Sequence, residues 1–137
     1  MEVPQIIRTY IDACSPRNFE HFLSLFSADA TYSDPGTPQP LPPPGIKAYL
    51  GGLFAAFPDT KFETVAVYAI SDTLFVWRWI MRGTNTGSFM GMPATLQPIT
   101  LPGCEFITLN GDKVHKVEGY FDQVTMLRQL GLMPPAR

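Results

Sequence analysis

Apolar residues recur at a helical period from the start of the chain. Val3, Ile6, Ile7, Tyr10, Ile11 and Cys14 are spaced so that one face of a helix carries all of them. Ser15-Pro16 reads as the end of that helix and the start of the next, with Ser at the cap and Pro at the first helical position. Phe19, Phe22, Leu23 and Phe26 repeat the stripe, which predicts a helical hairpin with facing apolar sides. A short strand over 30–34 then runs into the proline-rich segment 35–44, where missing N–H groups preclude regular hydrogen bonding. After Gly45, the positions Ile46, Tyr49, Leu50, Leu53, Phe54 and Phe57 restore the helical period and predict a third helix. Gly51-Gly52 within it costs helix propensity and leaves room for close packing.

From residue 60 the period changes to two. Strands are predicted over 62–70 and 74–82, with Ser71-Asp72 as the turn. Alternation puts Phe75, Trp77, Trp79 and Met81 on one wholly apolar face and Arg78 and Arg82 on the other. Such a face has to be covered. Strands over 86–90, 99–109 and 114–121 continue the sheet around the turn signal Asn110-Gly111-Asp112, and a helix over 124–130 is closed by Gly131. The order is three helices with one strand among them, then an antiparallel meander. That order predicts an α+β fold with the helices on one face of the sheet. The covered aromatic face fits either a solid core or a cavity rimmed by Trp, Phe and Met, and the pattern alone does not separate the two.

Composition narrows the functional classes. At 137 residues, 45% hydrophobic and 16% charged, the chain suits one packed domain over 1–137. The net charge is −2, and the ten Lys and Arg are scattered singly, which argues against nucleic acid as a partner. The first residues lack the basic and long apolar regions of a signal peptide, and no apolar run approaches the ~18 residues of a membrane span. A cytoplasmic chain without membrane contact is the expectation. Cys14 and Cys104 then read as free thiols rather than a disulfide. His21 and His115 stand alone, with no Cys/His cluster at ligand spacing, so no metal is expected.

Several pieces together resemble the nuclear-transport-factor-2-like superfamily, in particular its SnoaL-like polyketide cyclase and ketosteroid isomerase branches. They are Tyr10-Ile11-Asp12, the run from Phe26 through Ala30-Thr31-Tyr32-Ser33-Asp34 to Pro35, and Phe57-Pro58-Asp59. They continue through Arg78-Trp79, the run from Gly83 to Gly91, Asn110-Gly111-Asp112-Lys113-Val114, Tyr120-Phe121-Asp122 and Leu127-Arg128-Gln129-Leu130-Gly131. The resemblance covers almost the whole chain. It implies a cone-shaped fold, with N-terminal helices packed on a strongly curved antiparallel sheet around an apolar pocket. It also implies a homodimer through the outer sheet face, a small apolar or aromatic organic ligand, and no cofactor. The fold hosts enzymes, binding domains and assembly modules, so it does not fix an activity.

Two catalytic patterns fall on these positions by resemblance. In the isomerase pattern Asp34 shuttles a proton beside a carbonyl, while Tyr10 and a neutral Glu105 hydrogen-bond the enolate oxygen. An acid held neutral by an apolar site is well known from ketosteroid isomerase itself, and Glu105 here stands where that pattern has Asp. In the cyclase pattern a single acid/base, Asp122, closes a ring by an intramolecular aldol step.

The residues themselves leave other readings open. Asp34 before Pro35 is also ordinary turn chemistry. Glu105 shares strand parity with Ile107 and Leu109 and so faces inward, unless the alternation slips at Gly103. Alternation from Val117, Gly119 and Phe121 puts Asp122 on the polar side, where it reads equally as a helix cap. Trp77, Trp79, Phe121 and Tyr32 are expected to line the pocket, with core packing as the alternative. Met90 is expected at its mouth, where a flexible side chain adapts to apolar ligands.

Overall fold

A computed structural model describes residues 2–134. Two short helices, α1 (Gln5–Ala13) and α2 (Phe19–Ser24), lead into the strand β1 (Phe26–Ser33). Helix α3 (Pro43–Ala56) follows, then β2 (Lys61–Ala69), β3 (Leu74–Thr84), β4 (Pro98–Asn110), β5 (Lys113–Phe121) and a terminal helix α4 (Gln123–Gln129). The strands form one five-stranded sheet in the order β1-β5-β4-β3-β2. This is the α+β architecture the pattern predicts, and no described helix is long and apolar enough to cross a membrane.

The sheet is mixed rather than antiparallel throughout. β1 returns from the helical hairpin to lie parallel to β5, with Tyr32 opposite Val117 and Ser33 opposite Glu118. β2, β3, β4 and β5 form the expected antiparallel meander. The β3–β4 ladder runs unbroken from Leu74–Thr108 to Thr84–Pro98, so the alternation does not slip at Gly103. The bulges lie elsewhere. At His115 the ladder with β4 skips one residue, which lets Val114 and Val117 both face the core. An extra residue in β2 at Val65 leaves that side chain exposed.

Four local expectations need correction. β1 starts at Phe26, well before residue 30. Ser15-Pro16 does not open α2; Ser15 Oγ accepts the Asn18 N–H in a preceding turn, and the helix starts at Phe19. The third helix starts ahead of Gly45, with Pro at its first positions, where a missing N–H costs nothing. The segment 86–90 is not a strand. Thr86 N and Gly87 N donate to Ala56 O at 3.1 and 3.2 Å, which ties the chain to the end of α3. Buried Asn85 completes the tie: its amide donates to Ala56 O and Gly87 O and accepts from the backbone N and hydroxyl of Thr95. Gly87 is required there, since a Cβ would fall 2.3 Å from Ala55 O.

The core lies between the inner sheet face and the three larger helical stripes. Ile7, Tyr10 and Phe22 of the hairpin and Ile46, Leu50 and Phe54 of α3 pack against Phe75, Trp77, Ile107 and Val117. Gly51 lies in contact range of Phe19, while Gly52 faces open space. Helix α4 is clasped to β4 by Gln129, whose amide exchanges two hydrogen bonds with the Thr100 backbone at 2.8 and 2.9 Å. Both cysteines are free and half-buried.

Candidate functional site

Cross-strand pairing sets two neighbouring rows on the inner sheet face. One reads Trp77, Glu105, Gly119; the next reads Trp79, Gly103, Phe121. Each row contains a glycine, and each glycine is filled by a large neighbour. A Cβ on Gly103 would stand 2.4 Å from the Trp79 ring, so the indole lies directly over that backbone. A Cβ on Gly119 would stand 3.3 Å from Asp34 Cβ and 3.8 Å from Tyr32 Oη. Gly119 thus makes room for the end of β1 to bring Asp34 and Tyr32 beside Glu105.

The space these rows leave beneath the helices is a cavity of about 110 Å³. Tyr10, Tyr32, Asp34, Glu105, Trp79 and Phe121 all line it, and Met90 stands at its rim, well exposed. Met90 takes a left-handed backbone conformation (φ 54°) next to Gly91, a conformation disfavoured outside glycine and one that sets its side chain at the mouth.

Two carboxyl groups face this apolar space in different settings. Glu105 is buried and accepts the Tyr10 hydroxyl at 2.5 Å through Oε1. Burial pushes its pKa up to about 7, and the nearby Asp34 charge adds to that; the Tyr10 hydroxyl and the nearby Trp79 N–H pull the other way without cancelling it. Asp34 is braced by three donors: Tyr32 Oη on Oδ2, and Tyr49 Oη and Gly36 N on Oδ1, each at 2.7 Å. The phenols of Tyr10, Tyr32 and Tyr49 are all raised, first by burial and then by the neighbouring carboxylates, so each remains a donor at neutral pH.

Two of the residues singled out from sequence stand outside the cavity. Trp77 is fully buried behind it, with Nε1 donating to Thr64 Oγ1 at 3.0 Å and its ring against Tyr10 and Phe62. Asp122 is exposed at the N-terminus of α4, where it accepts the Val124 N–H at 3.0 Å and the Thr125 hydroxyl at 2.8 Å. These bonds hold its carboxyl below the usual range. Physically it is a helix cap.

Sequence reasoning passed over Tyr49, Cys14 and Gln123, which also line the cavity. Tyr49 sits in the apolar stripe of α3 at the angle of a core residue, and only the fold of the proline segment brings Asp34 under its hydroxyl. That segment turns at Asp34–Thr37 and pairs Leu41 back onto Tyr32 through two backbone bonds. Cys14 is a protonated thiol, raised by burial and by the Glu105 charge.

A cone of sheet and helices closed over an apolar cavity, with carboxyl groups bonded by phenols, defines a small-molecule pocket protein of the cyclase and isomerase type. The chain belongs to the SnoaL-like polyketide cyclase family, whose model matches residues 4–130. Among solved structures it is similar to AclR, a candidate hydroxylase from Streptomyces galilaeus (TM-score 0.84, 19% identity, 97% of this chain and 87% of that one). It is similar also to IdmH, a candidate polyketide cyclase from Streptomyces antibioticus (TM-score 0.78, 25% identity, 93% of this chain and 96% of that one). A third is a protein with a ketosteroid isomerase-like fold from Catenulispora acidiphila, in complex with trimethylamine (TM-score 0.78, 18% identity, 98% of this chain and 100% of that one). No curated protein matches the chain in sequence.

Proposed function

We propose that this protein is a cofactor-independent acid/base enzyme of the cyclase or isomerase type, acting on a small apolar carbonyl compound. The observation that carries this reading is the pair of carboxyl groups in one apolar cavity, one of them, Glu105, poised near neutrality. Asp34 accepts a proton from the carbon next to the carbonyl, and the electron pair moves onto the carbonyl oxygen. Protonated Glu105, held through Oε1 by Tyr10, donates from Oε2 to that developing oxyanion. The enolate then takes the proton back at another carbon, as an isomerase requires, or attacks a second carbonyl of the same molecule, whose oxygen takes the proton from Asp34 as the C–C bond forms, as a cyclase requires. Asp122 has no part in these steps.

The test uses 1-indanone, a compact apolar ketone, and follows deuterium exchange at its C2 position by NMR. The native protein is expected to accelerate exchange, and Asp34→Asn to slow it by about 10²-fold or more. Full exchange in both Asp34→Asn and Glu105→Gln overturns the assignment of the acid/base groups.

A second reading is a non-catalytic pocket that holds such a ligand. The three donors on Asp34 favour it, because a carboxylate so fully engaged has less capacity to act as a base. Saturable binding of 1-indanone with no exchange supports this alternative.

On either reading the protein acts as a homodimer through the outer sheet face. Exposed Tyr68 and Tyr120 there flank Val76 and Phe106, and Phe106 packs edge-on against Tyr120. A monomeric mass in solution scattering sinks the dimer.

A further inference from the structure

Among the described residues, Trp79 Nε1 is the buried side-chain polar atom left without a hydrogen-bond partner. The side chain is only 6% exposed, lines the cavity, and sits at its carboxyl end. A buried donor left unpaired is costly, and native structures rarely keep one without a use. The contrast with Trp77 is direct. That indole, one position away on the same strand face, has its N–H satisfied by Thr64.

The Trp79 ring is also fixed in place. Phe62 meets it edge-on at 5.2 Å and Trp77 at 6.4 Å, while the bare backbone of Gly103 forms its floor. An indole this confined does not turn away to find water. Its neighbour in the cavity is Glu105, near enough that the N–H favours the charged carboxylate but not placed to form a hydrogen bond with it, and Glu105 Oε1 is held by Tyr10.

We propose that Trp79 Nε1 is a ligand-binding donor that, together with Glu105, selects a ligand carrying an acceptor oxygen, with Gly103 as the residue that positions the indole. The ligand class is a compact apolar ketone or related carbonyl compound, its oxygen seated between the indole N–H and the Glu105 carboxyl. This rests on the carbonyl-compound reading of the pocket above, but not on its chemistry. The donor serves equally a turnover site and a binding site.

The experiment compares 1-indanone with indane, which has the same ring frame and no acceptor. Two indole N–H signals are expected in the ¹⁵N–¹H spectrum, one for each tryptophan, and Trp77→Phe assigns them. Saturating 1-indanone is expected to shift the Trp79 signal downfield and slow its exchange with water, leaving the Trp77 signal in place; indane moves neither in that way. Trp79→Phe is expected to weaken 1-indanone about tenfold and indane less than about threefold.

An unmoved Trp79 signal with 1-indanone bound overturns the proposal, as does equal weakening of both probes. Failure of 1-indanone to bind the native protein overturns it too. The spectrum of the native chain decides the matter even if the variant does not fold. A shifted Trp79 signal without C2 exchange leaves this proposal standing while the enzymatic reading falls.

Discussion

Tyr10 and Glu105, 95 residues apart in the chain, are joined by a 2.5 Å hydrogen bond inside the core. The first helix is thereby tied to the centre of the sheet through a carboxyl group that prefers to hold its proton. Its pKa stands at about 7 in the folded chain against an ordinary value of 4.5. A group raised on folding contributes stability that is complete below its unfolded value and is lost as pH rises through the folded one. Stability should therefore decline between about pH 4.5 and pH 7 on account of Glu105. Glu105→Gln keeps an acceptor for Tyr10 and removes the charge. It is expected to match the native protein near pH 4 and to exceed it above pH 8 by up to about 3 kcal/mol. Urea unfolding across that range is the measurement, and a constant difference at all pH values contradicts it.

Tyr10→Phe removes the donor and leaves the Glu105 acceptor without a protein partner. A loss of about 1–3 kcal/mol is expected, the usual cost of stranding a buried polar group. Because the Tyr10 hydroxyl favours the charged carboxylate, its removal should move the Glu105 midpoint still higher. A carboxyl ¹³C titration reads this directly, and a lowered midpoint refutes it.

Asp34 should respond differently from Glu105. In Asp34→Asn only one side-chain oxygen remains to accept, so the hydroxyls of Tyr32 and Tyr49 and the Gly36 N–H cannot all keep their partners. The variant is expected to lose about 1–3 kcal/mol of stability as well as any C2 exchange activity. Tyr49→Phe removes one of the three donors and leaves the others. It should cost less stability and retain the fold, as circular dichroism and thermal unfolding can check.

Much of this arrangement was legible in the sequence, and the exceptions have physical causes. The helical stripes and the Phe75 to Met81 alternation gave the core because in regular, unbulged elements burial follows periods of 3.6 and 2. The inward parity of Glu105 held because its ladder with β3 has no bulge. Tyr10, Asp34 and Glu105, the positions on which the isomerase pattern falls, line one cavity. The parallel pairing of β1 with β5 was not legible, since it depends on a long-range return that no local period records. Nor was Tyr49, whose position in an apolar stripe hides a polar use. The segment 86–90 alternates like a strand, but buried Asn85 and the close approach of Gly87 to Ala55 O hold it as a loop. Gly103 reads in sequence as a place where the alternation could slip and Gly119 as part of the apolar side of its strand; in the fold both create the space in which the site is built.

Gly103→Ala tests that space. The new Cβ would overlap the Trp79 ring, which Phe62 and Trp77 already confine, so the indole must shift or the strands must part. Overpacking of this kind costs about 1–3 kcal/mol. A crystal structure or the tryptophan fluorescence of the variant should show a displaced Trp79 with Trp77 unmoved. An unperturbed indole would mean that the floor of the cavity is not set by this glycine.

Asp122 offers the sharpest separation between the local and the familial reading of one residue. Its carboxylate accepts from Val124 N and the Thr125 hydroxyl at the start of α4, and both bonds favour the charged form. A lowered pKa of this kind adds stability that is present above the ordinary carboxylate range and is lost as pH falls through the folded value. Asn caps a helix about as well as Asp, whereas Ala does not. If the residue is a cap, Asp122→Asn should keep nearly the native melting temperature and the full rate of 1-indanone exchange, and Asp122→Ala should melt lower without changing the chemistry per folded molecule. If it is instead the acid/base of a ring closure, Asp122→Asn should abolish turnover while remaining as stable as the native protein. Thermal unfolding and the exchange assay on the same two variants distinguish these outcomes, and the hydrogen bonds at the α4 terminus favour the cap.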